Sequence, residues 1–295
     1  MPTPRTNVLV TGGTGTVGRQ AMHSLLKAND VAVRALVRDV AKAAWIAEAG
    51  GDIISGSFED DSAMSRALAD VDTLALITPA GPRAFEQAGK VVALAKQAGI
   101  RKVVRLSAIK ADENGPTDNT RQHAVTERDI RESGMTYVFL RPNYYMQNFL
   151  GSLRAVLQEG KLYAGMGEAK IAVIDARDVG DAVAAAVRSN AFDGEALELS
   201  GPRSITHHTI AEAIGSALGR HVEYVAVPPE AVGEFVRKLG RDDWAAQVVA
   251  DYARAYSRGF GDLVTNAVTS LTAHEPRDIA AFAREILAPA AERRN

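Results

Sequence analysis

The sequence contains no cysteine and carries nearly equal numbers of positive and negative side chains. Without cysteine the chain has no disulfides, thiolate metal ligands or thiol nucleophile. The 34 basic and 36 acidic side chains give a formal net charge of -2, which argues against a nucleic-acid partner held by long-range electrostatics. No apolar run approaches the roughly 20 residues that a bilayer requires. We therefore expect a soluble cytoplasmic protein with neither nucleic acid nor membrane as a partner.

Short runs rich in Val, Ile and Leu alternate with amphipathic stretches of helical length. This alternation is typical of strand–helix units around a parallel sheet. The sequence therefore predicts an α/β fold with a doubly wound parallel sheet. The predicted strands are residues 7–11, 31–37, 52–55, 73–78, 102–107 and 136–141.

The first apolar run leads into a glycine-rich loop that is followed by a helical pattern. Gly12 permits a tight turn, Gly15 lets the backbone approach a pyrophosphate, and Gly18 lets the helix pack closely on the strand. Glycine-rich turns also serve as plain connections. Here strand, loop and helix occur in the order that a dinucleotide site requires. The predicted cofactor contacts are Thr11, Gly12, Gly13, Thr14, Gly15, Thr16, Val17 and Gly18.

The second predicted strand ends in a basic residue, Arg38, about twenty residues after the last loop glycine. NAD-binding proteins carry an acidic side chain there, which hydrogen-bonds the ribose 2′-hydroxyl. A guanidinium pairs instead with a 2′-phosphate, and Lys42 adds charge one helical turn further on. The alternative is that both cations are solvated surface charges beside Asp39. The pattern favours NADP(H) over NAD(H).

The sequence resembles the NmrA-like group of the atypical short-chain dehydrogenase/reductase family, which includes triphenylmethane reductase and NAD(P)H quinone or azo reductases. Apart from the loop and Arg38, the likeness is carried by residues 56–60, 77–79, 105–107, 136–142, 145–149, 175–179 and 280–285. It implies an NAD(P)-binding Rossmann fold. It also implies cofactor contacts from residues at the carboxyl ends of strands, where ligands of parallel sheets bind. These are Ser57, Phe58, Ile77, Thr78 and Pro79, each of which is alternatively an ordinary strand end, together with Ser107, Pro142 and Asn143.

Regular alternation loosens after Asn143. Residues 170–174 and 196–199 are predicted as short strands, and Arg177 and Asp178 begin a helix. A capped helix within 204–219 and a strand at 221–227 follow, and helices dominate from Pro228. We expect residues 1–150 to form the NAD(P)-binding domain, to which a strand and a helix of about 170–200 return, and residues 151–295 to form a smaller, mostly helical substrate lobe.

Carbonyl-reducing members of the wider superfamily use a Tyr-x-x-x-Lys pair on the helix after the fifth strand. This chain has His123 and Glu127 at that place, and so resembles the NmrA-like group, in which the tyrosine and lysine are absent. Hydride transfer needs little beyond positioning of the reactants and exclusion of water. His123 is a candidate proton donor, the alternative being a helix residue paired with Glu127. Neither this pair nor the adjacent His207 and His208 has the spacing of a metal site, so we expect none.

Aromatic side chains directly follow the sixth predicted strand. Tyr144, Tyr145 and Phe149 suit a flat, apolar substrate, although such residues equally form core. The leading hypothesis is an NADPH-dependent reductase of a planar, electron-poor molecule such as a quinone, an azo compound or an arylmethane dye. The alternative is an NADP(H)-sensing regulatory protein without turnover. The helical stretch 245–256 covers the substrate or forms the face of a homodimer.

Overall fold

A computed structural model describes residues 5–293 of the chain. Its strands form a seven-stranded sheet in the order β3-β2-β1-β4-β5-β6-β8 and a separate pair, β7 with β9. They are β1 (Thr6–Thr11), β2 (Val31–Val37), β3 (Asp52–Ser55), β4 (Thr73–Leu76), β5 (Lys102–Leu106), β6 (Thr136–Pro142), β7 (Lys161–Ala164), β8 (Ala196–Leu199) and β9 (Glu223–Ala226).

Helices connect the strands and dominate the end of the chain. They are α1 (Thr16–Leu26), α2 (Ala44–Glu48), α3 (Asp61–Leu68), α4 (Ala84–Gln97), α5 (Asp118–Ser133), α6 (Leu153–Glu159), α7 (Ala176–Arg188), α8 (His207–Leu218), α9 (Pro229–Lys238), α10 (Asp243–Ser257), α11 (Ala267–Thr272), α12 (Ile279–Phe282) and α13 (Ala288–Glu292). Short 3-10 helices cover Ala41–Ala43 and Met146–Ser152, and a π-helical turn covers Ala283–Leu287.

Parallel pairing explains why the strands of the large sheet are apolar without alternation. β1 pairs in parallel with β2 on one side and β4 on the other, and Val8, Leu9 and Val10 are all buried. Both faces of such a sheet are covered by helices, so side chains pointing either way lie in core. The order also reverses its direction between β1 and β4, the point at which ligands of doubly wound sheets bind. The predicted α/β fold is confirmed.

β4 ends at Leu76, earlier than predicted, because the next residue leaves the ladder. The Ile77 amide donates to the Thr11 hydroxyl at 2.9 Å, and that hydroxyl donates to the Ile77 carbonyl at 2.9 Å. A side chain thus replaces the neighbouring strand as the partner of this backbone. The two bonds join the carboxyl ends of β1 and β4.

The strand predicted at residues 170–174 is wrong. Ile171 and Ile174 form only isolated bridges, with Ile205 and Tyr145 respectively. The four residues from Ile171 to Ile174 are all buried, which produced the strand-like apolar run. Successive residues bond to different segments, so no continuous ladder develops.

The chain forms two compact units. The first contains the described residues up to Asn114 together with Asn119–Arg141 and Ala176–Glu198, and the second contains Gly115–Asp118, Pro142–Asp175 and the described residues from Leu199 onward. Each has its own apolar core, which in the second unit includes Phe149, Ile210 and Phe282. Within residues 5–293, none of the helices has the length and apolar character to cross a membrane.

Candidate functional site

Gly12, Gly15 and Gly18 of the loop lie where a side chain would strain the backbone or crowd a neighbouring atom. Gly12 has a φ of +64°, in the region where a Cβ is unfavourable. A Cβ on Gly18 would lie 2.1 Å from the Gly12 carbonyl oxygen, and one on Gly15 3.2 Å from the same atom. The loop therefore folds back closely on the start of α1. This cradle fits a pyrophosphate approached by backbone rather than by side chains.

The amides at the start of α1 have no side-chain cap. The N-cap residue is Gly15, which offers no side-chain acceptor, and the first turn holds no acidic residue. Within residues 5–293, helices α3, α8, α10 and α12 are capped by an Asp or Thr side chain, at Asp60, Thr206, Asp242 and Asp278 respectively. An uncapped helix start combines free N–H donors with the positive end of the helix dipole. α1 is thereby suited to an anion.

The Thr11 side chain serves the fold rather than a ligand. It is fully buried, and its hydroxyl is occupied by the two bonds to Ile77. The same Ile77 carbonyl lies 2.9 Å from the position of a Cβ on Gly12, so the clamp between the strand ends also shapes the loop. Among the residues expected along the cofactor path, Ile77 is buried, Thr78 is half-buried and Pro79 is exposed.

Arg38 lies exposed after the end of β2, and its guanidinium forms no ion pair or hydrogen bond within residues 5–293. Its neighbour Asp39 interacts with Lys42 instead. The carboxylate accepts from the Lys42 amide at 3.2 Å, and the Lys42 ammonium lies 3.3 Å from it. These contacts lower the pKa of Asp39. Asp39 therefore leaves the Arg38 guanidinium available to an anion, whereas Lys42 is already paired.

Ser57 and Phe58 follow β3 and are half-buried. The Ser57 hydroxyl accepts from the Glu59 amide at 3.3 Å, and Phe58 packs against the core of the first unit. The pKa of Glu59 is lowered, first by Ser57, with smaller contributions from the charges of Arg83 and Arg38. The turn after β3 and the tip of β2 are thus close enough to interact electrostatically.

A buried charge network surrounds Glu127, which follows His123 by one turn on α5. Glu127 is completely buried and accepts from Ser107 at 2.6 Å and from two guanidinium nitrogens of Arg141 at 2.9 and 2.5 Å. The more exposed Arg131 adds a contact at 3.3 Å. Because Ser107 donates its only hydroxyl proton to this carboxylate, it is left as a hydrogen-bond acceptor.

The network continues to the loop that follows β5. Arg141 lies 3.3 Å from Glu198, whose carboxylate accepts from the Lys110 amide at 3.0 and 3.2 Å. Lys110 has a φ of +47°, unusual for a residue with a side chain. Burial raises the pKa of Glu198, and its bonds to Lys110 and Arg141 oppose this. Glu198 thus holds the loop in a strained turn.

His123 is bonded to a buried arginine and not to Glu127. Its Nδ1 lies 3.3 Å from a guanidinium nitrogen of Arg105, whose other terminal nitrogen donates to the Leu76 carbonyl at 3.1 Å. Burial lowers the pKa of Arg105 to about 10. Burial, and then the charge of Arg105, hold the pKa of His123 well below its ordinary value. His123 is therefore neutral at physiological pH.

The residues expected to contact the substrate lie in the second unit. Tyr144 packs against Phe149 and Tyr256 with ring centroids 5.8 and 5.7 Å apart, and burial raises its pKa to about 12. Burial also raises the pKa of Tyr145, whose hydroxyl has no hydrogen-bond partner within residues 5–293 and is not fully buried. Phe149 is 3% exposed and belongs to the core.

Pro142 and Asn143 are both buried. The Asn143 side-chain carbonyl accepts from the Tyr144 amide at 2.8 Å and from the Tyr256 hydroxyl at 3.1 Å, and its amide donates to the Gly261 carbonyl at 2.9 Å. This side chain holds segments of the second unit together, and both carbonyl lone pairs are used.

A parallel sheet with a glycine loop at its switch point and an uncapped helix behind that loop defines the class of Rossmann-type α/β proteins. The model of the NmrA-like family matches residues 4–262. The chain belongs to the NmrA-like family, and the resemblance inferred from its motifs is confirmed.

Individual relatives are similar over nearly the whole chain. NAD(P)H azoreductase of Xenophilus azovorans is 30% identical over 281 residues, which are 94% of this chain and 96% of that protein. The NADPH-dependent quinone oxidoreductase of Escherichia coli, solved with NADPH, has a TM-score of 0.87 at 26% identity, covering 95% of this chain and 99% of its own. The triphenylmethane reductase of Citrobacter sp., complexed with NADP(H), has a TM-score of 0.85 at 23% identity, covering 94% and 99%, which shows the shared fold.

Sequence reasoning missed Arg105, Arg141 and Glu198. A signal was present for the two arginines, because each stands inside an apolar strand run, Val103–Leu106 and Val138–Pro142. A charged side chain in such a run is expected to be buried, and burial without an ion pair or hydrogen bond costs several kcal/mol of folding free energy, about the desolvation penalty of the charge. The residues around each arginine do not indicate which side chain will be its partner. From the sequence, Glu127 is predicted only as a neighbour of His123.

Proposed function

We propose that the chain is an NAD(P)H-dependent reductase of the atypical short-chain dehydrogenase/reductase type that reduces a planar, electron-poor small molecule: a quinone, an azo compound or a triphenylmethane-type dye. The observation that carries the proposal is the glycine cradle in front of the uncapped α1, within a chain similar throughout to an azoreductase and a quinone oxidoreductase. The cradle supports binding of the cofactor, and the relatives support the class of acceptor.

The residues of the first unit fit a dinucleotide. The Gly15 amide donates to the Gly12 carbonyl at 2.9 Å, so the pyrophosphate would be held by the other backbone amides from Gly13 to Val17. Ser57 and Phe58 would lie at the adenine. When bound, the nicotinamide supplies the hydride. Ile77, Thr78, Pro79 and Ser107 are proposed along the cofactor path, Ser107 as a hydrogen-bond acceptor because its proton is committed to Glu127.

We propose that NADP(H) is preferred over NAD(H). Support comes from the Arg38 guanidinium, which is exposed and unpaired within residues 5–293 while its acidic neighbour Asp39 interacts with Lys42. An unpaired guanidinium can bind a 2′-phosphate in bidentate fashion. Lys42 adds positive charge that Asp39 partly neutralises, so we assign it the smaller share.

For the acceptor we propose contacts with Tyr144 and Tyr145. Both are half-buried, and Tyr145 offers a protonated phenol without a partner within residues 5–293. Phe149 supports Tyr144 from the core instead of offering its own face. The cytoplasmic location and the homodimer expected from the sequence remain predictions.

The purified protein, mixed with NADPH or NADH and a panel of quinones, azo compounds and arylmethane dyes, should consume the cofactor with at least one acceptor class. Consumption is followed at the nicotinamide absorbance band and checked by product analysis. Cofactor binding in calorimetry without consumption by any acceptor would refute the reductase and support the NADP(H)-sensing alternative. The absence of binding of either dinucleotide would refute both.

A further inference from the structure

Arg105 constrains the chemistry of His123. A guanidinium has only N–H donors, so the ring nitrogen that faces it at 3.3 Å must accept. Nδ1 therefore carries no proton, and a neutral imidazole must then carry it on Nε2. Arg105 is 2% exposed and is also held by the Leu76 carbonyl, so it cannot turn away to serve another partner. The tautomer of His123 is fixed by a rigid neighbour.

The Nε2 atom is available to a ligand. His123 is half-buried. Within residues 5–293 its Nε2 has no hydrogen-bond partner, and this atom is not fully buried. The position is also suitable. Arg105 bonds His123 to the end of β4 at Leu76, and the next residue, Ile77, contacts the glycine loop. His123 thus lies at the edge of the sheet where ligands of this fold bind.

We infer that His123 binds the electron-rich oxygen or nitrogen of the acceptor as a neutral Nε2–H hydrogen-bond donor, and that Arg105 is the positioning residue that fixes this tautomer. This inference rests on the proposed reductase function. A quinone accepts a hydride on one oxygen or ring carbon, and negative charge then develops on an oxygen. His123 stabilises that charge through its Nε2–H group. It keeps its own proton, because a neutral imidazole that lost it would become an imidazolate anion next to the reduced quinone. The proton that completes the hydroquinone comes from solvent water.

The groups around the ring agree with this role. Arg105 from β5 is the positive neighbour, and it disfavours a second proton on the imidazole. Glu127, one turn further along α5, is the negative group on the same helix, but its carboxylate is occupied by Ser107 and Arg141. His123 therefore lacks the carboxylate that would make it an imidazolium acid. The sequence suggested that His123 donates a proton to the substrate. The structure favours a role in which His123 donates a hydrogen bond and keeps the proton.

Two substitutions separate the two roles. His123→Gln places a side-chain amide N–H near the position of Nε2, whereas His123→Asn can still satisfy Arg105 but does not reach that position. A single donor to developing charge contributes about 100- to 1000-fold to kcat where it is fully effective. We expect kcat to fall by about 100-fold in His123→Asn and to stay within about fivefold of the wild type in His123→Gln. The dissociation constant for NADPH should be unchanged in both. Equal loss in both variants would overturn the inference.

The tautomer is tested without turnover. In a long-range ¹H–¹⁵N correlation spectrum of the wild-type protein, the His123 signals, assigned by their loss in His123→Gln, should show Nε2 protonated and Nδ1 unprotonated from weakly acidic to neutral pH. A protonated Nδ1, or an imidazolium at neutral pH, would overturn the role of Arg105. Arg105→Met, where it folds, should give a mixture of tautomers. If no acceptor is reduced, the proposed function fails, whereas the spectrum still decides the tautomer.

Discussion

Gly15 and Gly18 of the glycine loop differ in which atoms an added methyl group would contact. On Gly18 it would lie 2.1 Å from the Gly12 carbonyl oxygen, which is backbone and cannot move away without unfolding the turn. On Gly15 the corresponding distance is 3.2 Å, a tight contact that a small shift relieves. The same chemical change should therefore act on stability at one position and on ligand binding at the other.

We expect Gly18→Ala to destabilise the protein by about 3 kcal/mol, the upper range for overpacking. Gly15→Ala should cost less than about 1 kcal/mol but should weaken NADPH binding by about tenfold or more, since the methyl group stands where the pyrophosphate meets the backbone. Urea unfolding and calorimetric titration measure the two effects. Equal destabilisation by both substitutions would contradict the close approach of α1 to the loop.

Arg38 is the residue on which cofactor preference should depend. Reversal of its charge in Arg38→Glu would remove the proposed bidentate partner of the 2′-phosphate. The expected loss of about 1.5–3 kcal/mol corresponds to about 10- to 150-fold weaker NADPH binding. NADH binding should change far less. Lys42→Glu is the matched control, because Lys42 is already paired with Asp39 and should have the smaller effect. An unchanged ratio of the two dissociation constants in Arg38→Glu would contradict the assignment.

At the scale of elements, α1 and α7 pack through a glycine. A Cβ on Gly180 would lie 2.5 Å from the Cβ of Gln20 and 2.8 Å from the Ala21 amide nitrogen. Nearby, Asp181 accepts from Gln20 at 2.9 Å and from Ser24 at 2.7 Å. The absence of a side chain at Gly180 therefore lets two helices approach closely enough for these bonds.

Gly180→Ala should push α7 away from α1 and destabilise the protein by about 1–3 kcal/mol. Gly89→Ala is the control, because that glycine also lies inside a helix but its added Cβ would meet only the end of the Asp129 side chain, at 3.3 Å. It should be neutral or stabilising by up to about 1 kcal/mol. Thermal or denaturant unfolding distinguishes the two, and stabilisation by both would argue against close helix packing at Gly180.

Elements with a local signal were predictable to within a few residues. β2 and β3 begin and end as expected, because each is an apolar run between breaks. α8 lies within the capped helix predicted at residues 204–219. The structure shows that its cap is Thr206 and that it ends at Gly219, which has a φ of +63°. The prediction failed at residues 170–174, where burial came from several unrelated neighbours. Periodicity reports burial, and burial on both sides does not by itself specify a strand.

At the scale of the whole molecule, burial lowers the pKa of three histidines, His23, His123 and His207, and the effect is largest for the last two. Burial lowers the pKa of His207 to about 4, with a smaller effect from the charge of His208. Both ring nitrogens of His207 are buried without partners within residues 5–293, between the rings of Phe149 and Tyr224. His123 has a pKa well below its ordinary value as well.

Because these pKa values are lower in the folded than in the unfolded protein, the unfolded chain binds more protons in acid. The contribution of these histidines to the free energy of unfolding is fully present above about pH 6.5 and is lost as the pH falls toward 4. His207 accounts for about 3 kcal/mol of it. The free energy of unfolding, measured in urea at several pH values, should show this slope. It should be shallower in His207→Phe, whose ring fits the same aromatic neighbours. An equal slope in the variant would show that His207 is not the group responsible.

The sequence by itself determined the α/β class, the glycine loop and the basic residue after β2, because these depend on periodicity, turn geometry and spacing within short segments. Only the tertiary structure decided what the charged residues do. Arg105 meets His123, and Glu127 meets Ser107 and Arg141. Asp39 interacts with Lys42, and Arg38 has no partner among residues 5–293. Most of these partners come from separate strands and helices. The direction of each hydrogen bond, and hence which atom remains free for a ligand, exists only once the chain has brought them together.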